Sequence, residues 1–551
     1  MTKPPSRSSP PFPTTRRPRV SHPSCPRRWG TSRPSSTQVR TSAPGPARTT
    51  PRSARAGRPT SSGTCSATRW LSPRTLACGC AEAWRTLRPS PVSPRSTTAQ
   101  SSLSAPAKWQ TRSRRQRSAI ISWQPGSNRA TPRGGPPSPV GRPALSCAGT
   151  FLPMTLRVAF VSMHTSPAER AGTADAGGMN VLIRSLAEAL GAQGVEVHFI
   201  TRRSHPDQPA EQPLAPQVVL HHITAGPEAP LPKSLIDAHI DEFRDGLQTL
   251  GKFDIIHSHH WMSGVAALPV AREWGVPHVM TFHSVAAHPN SPLRDGEPPE
   301  SPARLEGEVT CATQSDLVIA VSHHEAAVVI GRCGADPEQV AIVRPGVDVV
   351  LFHPSDEPWS PADDVRPGYL LFAARLQPLK GPDVALAALA EVPEAERPDL
   401  VMVGQTSADF TGYEHELHRL VDELGLDSHV TFLPGQDRES LAQLMRHASL
   451  VLVPSHSETF GLVALEASAS GTPVLAAAAG GLTEAICNTH TGVLVPGHDT
   501  ALWGRELTAL LRDPERRHRM GECGRTRALD MTWPKVATRT LAHYHRLLGD
   551  R

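Results

Sequence analysis

The sequence predicts an α/β protein of two doubly wound units in tandem, facing each other across a cleft and preceded by a segment with no folding pattern. Three observations predict it. Charge is split sharply by position, short apolar runs alternate with helical periodicity from Met154 onward, and that alternation starts afresh after a Pro- and Asp-rich break at 347–367. The expected organisation is therefore an unstructured segment over 1–153, a first domain over 154–346, a linker over 347–367, a second domain over 368–530, and a C-terminal helix over 531–551 that packs back on the first domain.

The formal net charge of the 551 residues is +6, but the first 150 hold 26 Lys and Arg, 24 of them Arg, against one acid, Glu82. That stretch carries +25 and the remainder −19. It also holds 24 of the 56 prolines. Interior prolines remove donors and break helices, and few large aliphatics are present to offset chain entropy, so disorder is expected. Four readings fit. One is a nucleic-acid-binding tail, although its arginines follow no RGG or basic-helix pattern. Another is an organelle transit peptide, for which the segment is long and Pro-broken. A third is a Pro-rich regulatory linker. The fourth is GC-rich DNA translated in the wrong frame, with a start at Met154. The single acid and the absence of Tyr favour the fourth. No apolar signal core or membrane-length apolar run is present, so a cytoplasmic protein is expected. Five of nine cysteines fall in this segment. Cys311, Cys333, Cys487 and Cys523 are widely spaced and read as reduced.

In the body, Arg157–Met163 predicts a strand, a Gly-containing loop follows, and Met179, Val181, Leu182, Leu186 and Leu190 recur at helical spacing. Further strands are expected at 195–201, 253–257, 277–282, 317–321 and 340–343. The second series predicts strands at 369–373, 399–403, 429–433, 450–453 and 473–477. Helices between them are expected at 382–390, 414–424, 441–447 and 462–468. In such sheets ligands lie at the C-terminal strand ends.

Gly172-Thr-Ala-Asp-Ala-Gly177-Gly178-Met-Asn180 opens the first helix. Paired glycines admit close backbone approach, and helix N-terminal amides favour anions, although a plain strand–helix turn also fits. Arg375-Leu-Gln-Pro-Leu-Lys380-Gly381 occupies the equivalent place in the second half, where two cations can neutralise a pyrophosphate or simply be surface bases. Glu458 and Glu466 have seven residues between them. Glu466 falls among Leu462, Val463, Leu465 and Ala467, where an acid needs a partner, and sugar or ribose hydroxyls supply one. His257-Ser-His-His260 suggests a metal cluster at first sight, but no Cys or carboxylate completes a tetrahedral set, so hydrogen-bonding histidines are expected.

Carrying these motifs, the body resembles the retaining glycosyltransferases of family 4, which have the GT-B fold of two Rossmann-like domains. Glu458 and Glu466 match that family's Glu-x7-Glu motif, flanked here by Pro454-Ser455 and Gly471-Thr472-Pro473. Ser162-Met-His164-Thr-Ser-Pro167 and Asp175-Ala-Gly-Gly-Met-Asn180 are similar to the branch that moves N-acetylglucosamine from UDP-N-acetylglucosamine to 1D-myo-inositol 3-phosphate in mycothiol biosynthesis. The resemblance implies that His164, Asp175, Ala176, Gly177, Gly178, Met179 and Asn180 hold the acceptor. Lys233, His260, Ser284 and Arg304 join them around its phosphate. It places Gly178, Arg375, Lys380 and Gln436 on the donor, Glu466 on the ribose, Glu458 on the sugar and His283 beside the sugar. His283, Arg375, Lys380 and Glu458 are the implied catalytic groups. It implies no cofactor for the chemistry. A structural Mg2+ on Met445, Arg446, Ala448 and Thr472, largely through backbone, and a homodimer are further implications.

Three departures stand out. Arg170 and Ala171 occupy a donor-contacting place without the family's Gln-Pro, Ser284 replaces Thr, and His260 stands where that branch has Tyr. The last leaves open a related transferase with another donor or acceptor. Nucleic-acid binding through the basic tail is the rival of a different class. A membrane-surface enzyme is not expected, because the first body domain shows no strongly basic amphipathic helix.

Overall fold

The computed structural model describes residues 155–169, 177–286, 300–355, 357–362, 365–406, 410 and 412–549. The expected unstructured segment 1–153, the start at Met154, and Arg170, Ala171, Asp175 and Ala176 lie outside these.

The first sheet has eight strands: β1 (Arg157–Val161), β2 (Glu196–Arg202), β3 (Glu211–Ala215), β4 (Val218–Ile223), β5 (Ile255–His259), β6 (His278–Thr281), β7 (Leu317–Ala320) and β8 (Val340–Ile342). Their order is β3-β4-β2-β1-β5-β6-β7-β8, and every pairing is parallel except the β3–β4 hairpin. Val158, Ala159, Phe160 and Val161 are fully buried, as a strand covered by helices on both faces must be. The Gly178–Gly191 helix buries Leu182, Ile183, Leu186 and Leu190. The β3–β4 hairpin has no counterpart in the sequence reading. β3 is an edge strand with no fully buried residue and with Pro213 inside it, so it lacks the apolar run that marks the central strands.

The second sheet contains β9 (Leu370–Ala373), β10 (Leu400–Val403), β11 (Val430–Leu433), β12 (Leu450–Val453), β13 (Val474–Ala477) and β14 (Gly492–Val495). Its order is β11-β10-β9-β12-β13-β14, parallel throughout. In each sheet the chain winds outward in both directions from one place, between β1 and β5 in the first and between β9 and β12 in the second. Loops leaving the C-terminal ends of these strands diverge there and leave a crevice.

The two domains are tied by the chain's return. Val347 bridges Thr532, and the Trp533–Gly549 helix lies on the first domain. Gln193 Nε2 donates to the Pro534 carbonyl at 2.9 Å, and Tyr544, fully buried, shares a 2.6 Å hydrogen bond with His257 Nδ1. A side chain at Gly346 would meet the Trp533 amide nitrogen at 2.6 Å, so the crossing requires glycine. Burying a large side chain such as Tyr544 contributes about 2 kcal/mol, which anchors the helix. No helix of the described residues is long and apolar enough to cross a membrane.

Candidate active site

Between the two sheets, at the C-terminal strand ends, lies a cavity of about 330 Å³. The loop after β1 is shaped from within. Ser162 Oγ donates to the Thr165 carbonyl at 2.7 Å, and the Asn180 amide donates to Thr165 Oγ1 at 2.8 Å and to the Ser166 carbonyl at 2.7 Å. Asn180 therefore fixes the loop that carries His164 and also lines the cavity beside Gly177, Gly178 and Met179. A Cβ on Gly177 would lie 3.9 Å from Arg375 Nε, and one on Gly178 3.4 Å from Leu462. The glycine pair thus brings the first helix's N-terminus against the second domain.

His164, Lys233, His260, His283 and Ser284 complete the first-domain wall. The His164 and His260 rings lie 4.1 Å apart. Neither ring nitrogen of His260 has a partner among the described residues. Burial, helped by Lys233, pushes both imidazoles well below the ordinary histidine range. His260 and His283 have φ of 73° and 61°. Non-glycine residues held there cost about 1–3 kcal/mol each, a strain that surrounding structure must impose.

Arg304 does not line the cavity. It reaches it through Ser284, donating to Ser284 Oγ at 3.2 Å while pairing with Glu300 at 2.8 Å and Glu308 at 2.9 Å. Glu308 also accepts the Ala286 amide at 2.9 Å, so this buried carboxylate, absent from the sequence reading, clamps the His283–Ala286 loop. Its only sequence signal is an acid four residues after Arg304 on one helix face.

Among the described residues no group of three or more His, Cys, Asp or Glu side chains is placed to hold an ion. His257 spends Nδ1 on Tyr544 and Nε2 on Thr281 Oγ1 at 2.9 Å, and His259 Nδ1 shares a 3.0 Å hydrogen bond with His283 Nε2. These partners explain why β5 continues to His259 with both rings buried, two residues beyond the predicted strand end.

The second-domain wall carries Arg375, Lys380, Gln436, Arg438, Glu458 and Glu466. Lys380 Nζ lies 2.5 Å from Glu458 Oε1, which also accepts Ser455 Oγ at 3.1 Å. The Glu458 backbone is pinned by the Gly481 amide at 2.8 Å, and a side chain at Gly480 would strike its carbonyl. Gln436 Nε2 donates to the Pro434 carbonyl at 2.8 Å. Glu466 is buried, and its protein partner is Arg438, at 2.8 Å, whose guanidinium also covers the Phe352 ring at 4.9 Å. Sequence alone points to ligand hydroxyls for that partner, because Arg438 lies 28 residues away on another helix and leaves no local pattern.

Met445, Arg446, Ala448 and Thr472 are not among the cavity-lining residues. The first three fall at the C-terminal end of the Arg438–His447 helix, where carbonyls carry partial negative charge. Thr472 Oγ1 donates to the Met445 carbonyl at 2.5 Å, and Arg446 donates to the Leu351 carbonyl at 2.7 Å. The set offers neutral hard oxygens, a donor type that suits Mg2+.

Residues 176–351 match the model for Glycosyltransferase Family 4, and residues 356–527 match that for glycosyl transferases group 1. The D-inositol 3-phosphate glycosyltransferase of Arthrobacter sp. (strain FB24) is 42% identical over 405 residues, covering 71% of this chain and 96% of that protein. The chain belongs to the family 4 glycosyltransferases. Among solved structures, this glycosyltransferase is similar to sucrose-phosphate synthase from Thermosynechococcus elongatus, with TM-score 0.66 and 28% identity over 72% of this chain and all of that one. Anabaena HepE, solved with UDP, has TM-score 0.56 at 18% identity, covering 71% of this chain and all of that one, and shares the fold. The two parallel sheets around a cleft are the GT-B arrangement of this family.

Proposed function

We propose that this glycosyltransferase moves N-acetylglucosamine, with retention, from UDP-N-acetylglucosamine to 1D-myo-inositol 3-phosphate, as in mycothiol biosynthesis. The observation that carries the reading is a cavity with cations on opposite walls, Arg375 and Lys380 on one side and Lys233 on the other, with Arg304 behind Ser284. Such a cleft suits two phosphorylated ligands meeting between the domains. The D-inositol 3-phosphate glycosyltransferase relative supports the acceptor.

In this reading Arg375 and Lys380 hold the diphosphate and offset the charge that grows on it as the C1–oxygen bond breaks. Glu458 orients Lys380 and the sugar, and Glu466, steadied by Arg438, takes the ribose hydroxyls. The acceptor hydroxyl oxygen bonds to C1 on the face that UDP leaves, and its proton passes to the departing phosphate oxygen. A structural Mg2+ would take carbonyls of Met445, Arg446 and Ala448 with Thr472, and no step passes through it. Melting temperature with and without a chelator tests it, and no shift removes the ion.

A second reading, another phosphorylated acceptor, is favoured by His260 beside His164, with the rings 4.1 Å apart and tilted by 40°, and by the likeness to sucrose-phosphate synthase. An acceptor panel with UDP-N-acetylglucosamine decides. Inositol 3-phosphate is expected to outrun hexose phosphates and unphosphorylated inositol, and preference for a hexose phosphate would transfer the assignment to the second reading.

A further inference from the structure

The His259–His283 pair has a feature that the proposed mechanism does not use. His259 is fully buried, between the Phe160 ring at 4.8 Å and the His257 ring at 4.3 Å. Its Nδ1 shares the 3.0 Å hydrogen bond with His283 Nε2, and its Nε2 has no partner among the described residues. His257 cannot serve, since both its nitrogens are committed to Tyr544 and Thr281. Burial pushes His283 down to about 3 and His259 well below its ordinary range, so at neutral pH the pair is uncharged and its proton arrangement is a choice of tautomers.

Two arrangements satisfy the shared hydrogen bond. If His283 Nε2–H donates, the second proton of the pair sits on His259 Nε2, a buried N–H with nothing to receive it. If His259 Nδ1–H donates, only an acceptor is left unused there, and buried orphan donors are the rarer and costlier defect. The second arrangement puts the His283 proton on Nδ1, the ring nitrogen not taken by His259, on a ring that lines the cavity.

We propose that His259 is a positioning residue that sets the tautomer of His283, so that His283 presents an Nδ1–H donor to an oxygen of the bound sugar donor. This rests on the proposed function and on the family resemblance that sets His283 beside the transferred sugar, and it adds which atom donates and what enforces it. His283 has a left-handed backbone, and its ring lies 5.2 Å from that of His259.

The test is steady-state turnover of the full chain with UDP-N-acetylglucosamine and inositol 3-phosphate in four variants. Asn places an amide near the position of histidine Nδ1, whereas Gln reaches toward Nε2. His259→Leu is expected to lower kcat about tenfold with KM for the donor nearly unchanged. His259→Asn should recover most of that loss, while His259→Gln stays with His259→Leu. If His259→Leu does not fold, the Asn and Gln variants, matched by thermal melting, decide alone. Equal activity of those two overturns the proposal, as does wild-type kcat in His259→Leu. His283→Ala separates the levels of failure. If it turns over normally, the reading of His283 at the sugar fails. If it is impaired while His259→Leu is not, only the positioning role fails.

Discussion

On the first-domain wall of the cleft, the groups facing the cavity include imidazoles that burial holds neutral, namely His164, His260 and His283. On the second-domain wall they include ion pairs, Lys380 with Glu458 and Arg438 with Glu466. Each wall is built on the same doubly wound plan, so the difference lies in side chains and loops rather than in topology. The second wall holds its charges in fixed geometry before any ligand arrives, which suits a nucleotide diphosphate whose charge grows during reaction. The first wall keeps uncharged rings beside Lys233, which suits a ligand that brings its own charge.

The largest effect should come from breaking the second wall. Lys380→Ala is expected to lower kcat about 100-fold or more in a UDP-release assay, since in the proposed function Lys380 is a charge that stabilises the leaving group. Next is Arg438→Met, which leaves Glu466 buried and unpaired. It should cost about 3 kcal/mol in denaturant unfolding and raise KM for the donor, with the acceptor's KM unmoved.

Acidification should separate the two domains. Burial lowers His164, His257, His259 and His260, and it takes His278 to about 4 and His283 to about 3. Unfolded histidine takes a proton near about pH 6.5 and these rings do not, so first-domain stability falls as pH drops from there toward the folded values; Glu308 and Glu325, which burial raises, Glu325 to about 7, act in the opposite sense but are outnumbered by the six histidines. In the second domain burial pushes Asp399 up, and likewise Glu484 where it meets the first domain, but hydrogen bonds from Arg366, and from the first-domain His323 and Arg344, outweigh it and leave both lowered. Their contribution is present above the unfolded carboxylate value and lost only as pH falls below about 4. Hydrogen exchange corrected for intrinsic rate should therefore show the first domain opening first on descent from pH 7, and second-domain opening first would contradict this. The smallest effect is Tyr544→Phe, which frees His257 Nδ1 and should lower stability by about 1 kcal/mol in thermal melts.

The same contrast explains what could be read from sequence. The fold class was legible because central strands such as Leu370–Ala373 and Leu450–Val453 are buried on both faces and leave continuous apolar runs. The β3–β4 hairpin leaves no such run. Glu466 announced itself as an acid on an apolar helix, yet Arg438 and Tyr544 did not. Their roles arise from side chains meeting across elements, over 287 residues in the pairing of His257 with Tyr544, and no local spacing encodes that.

The measurement closest to the central claim is NMR of the products formed from UDP-N-acetylglucosamine and inositol 3-phosphate. One UDP is expected to be released per inositol phosphate consumed, with the new linkage in the α configuration of the donor. A β-linked product, or UDP release without consumption of the acceptor, would contradict it.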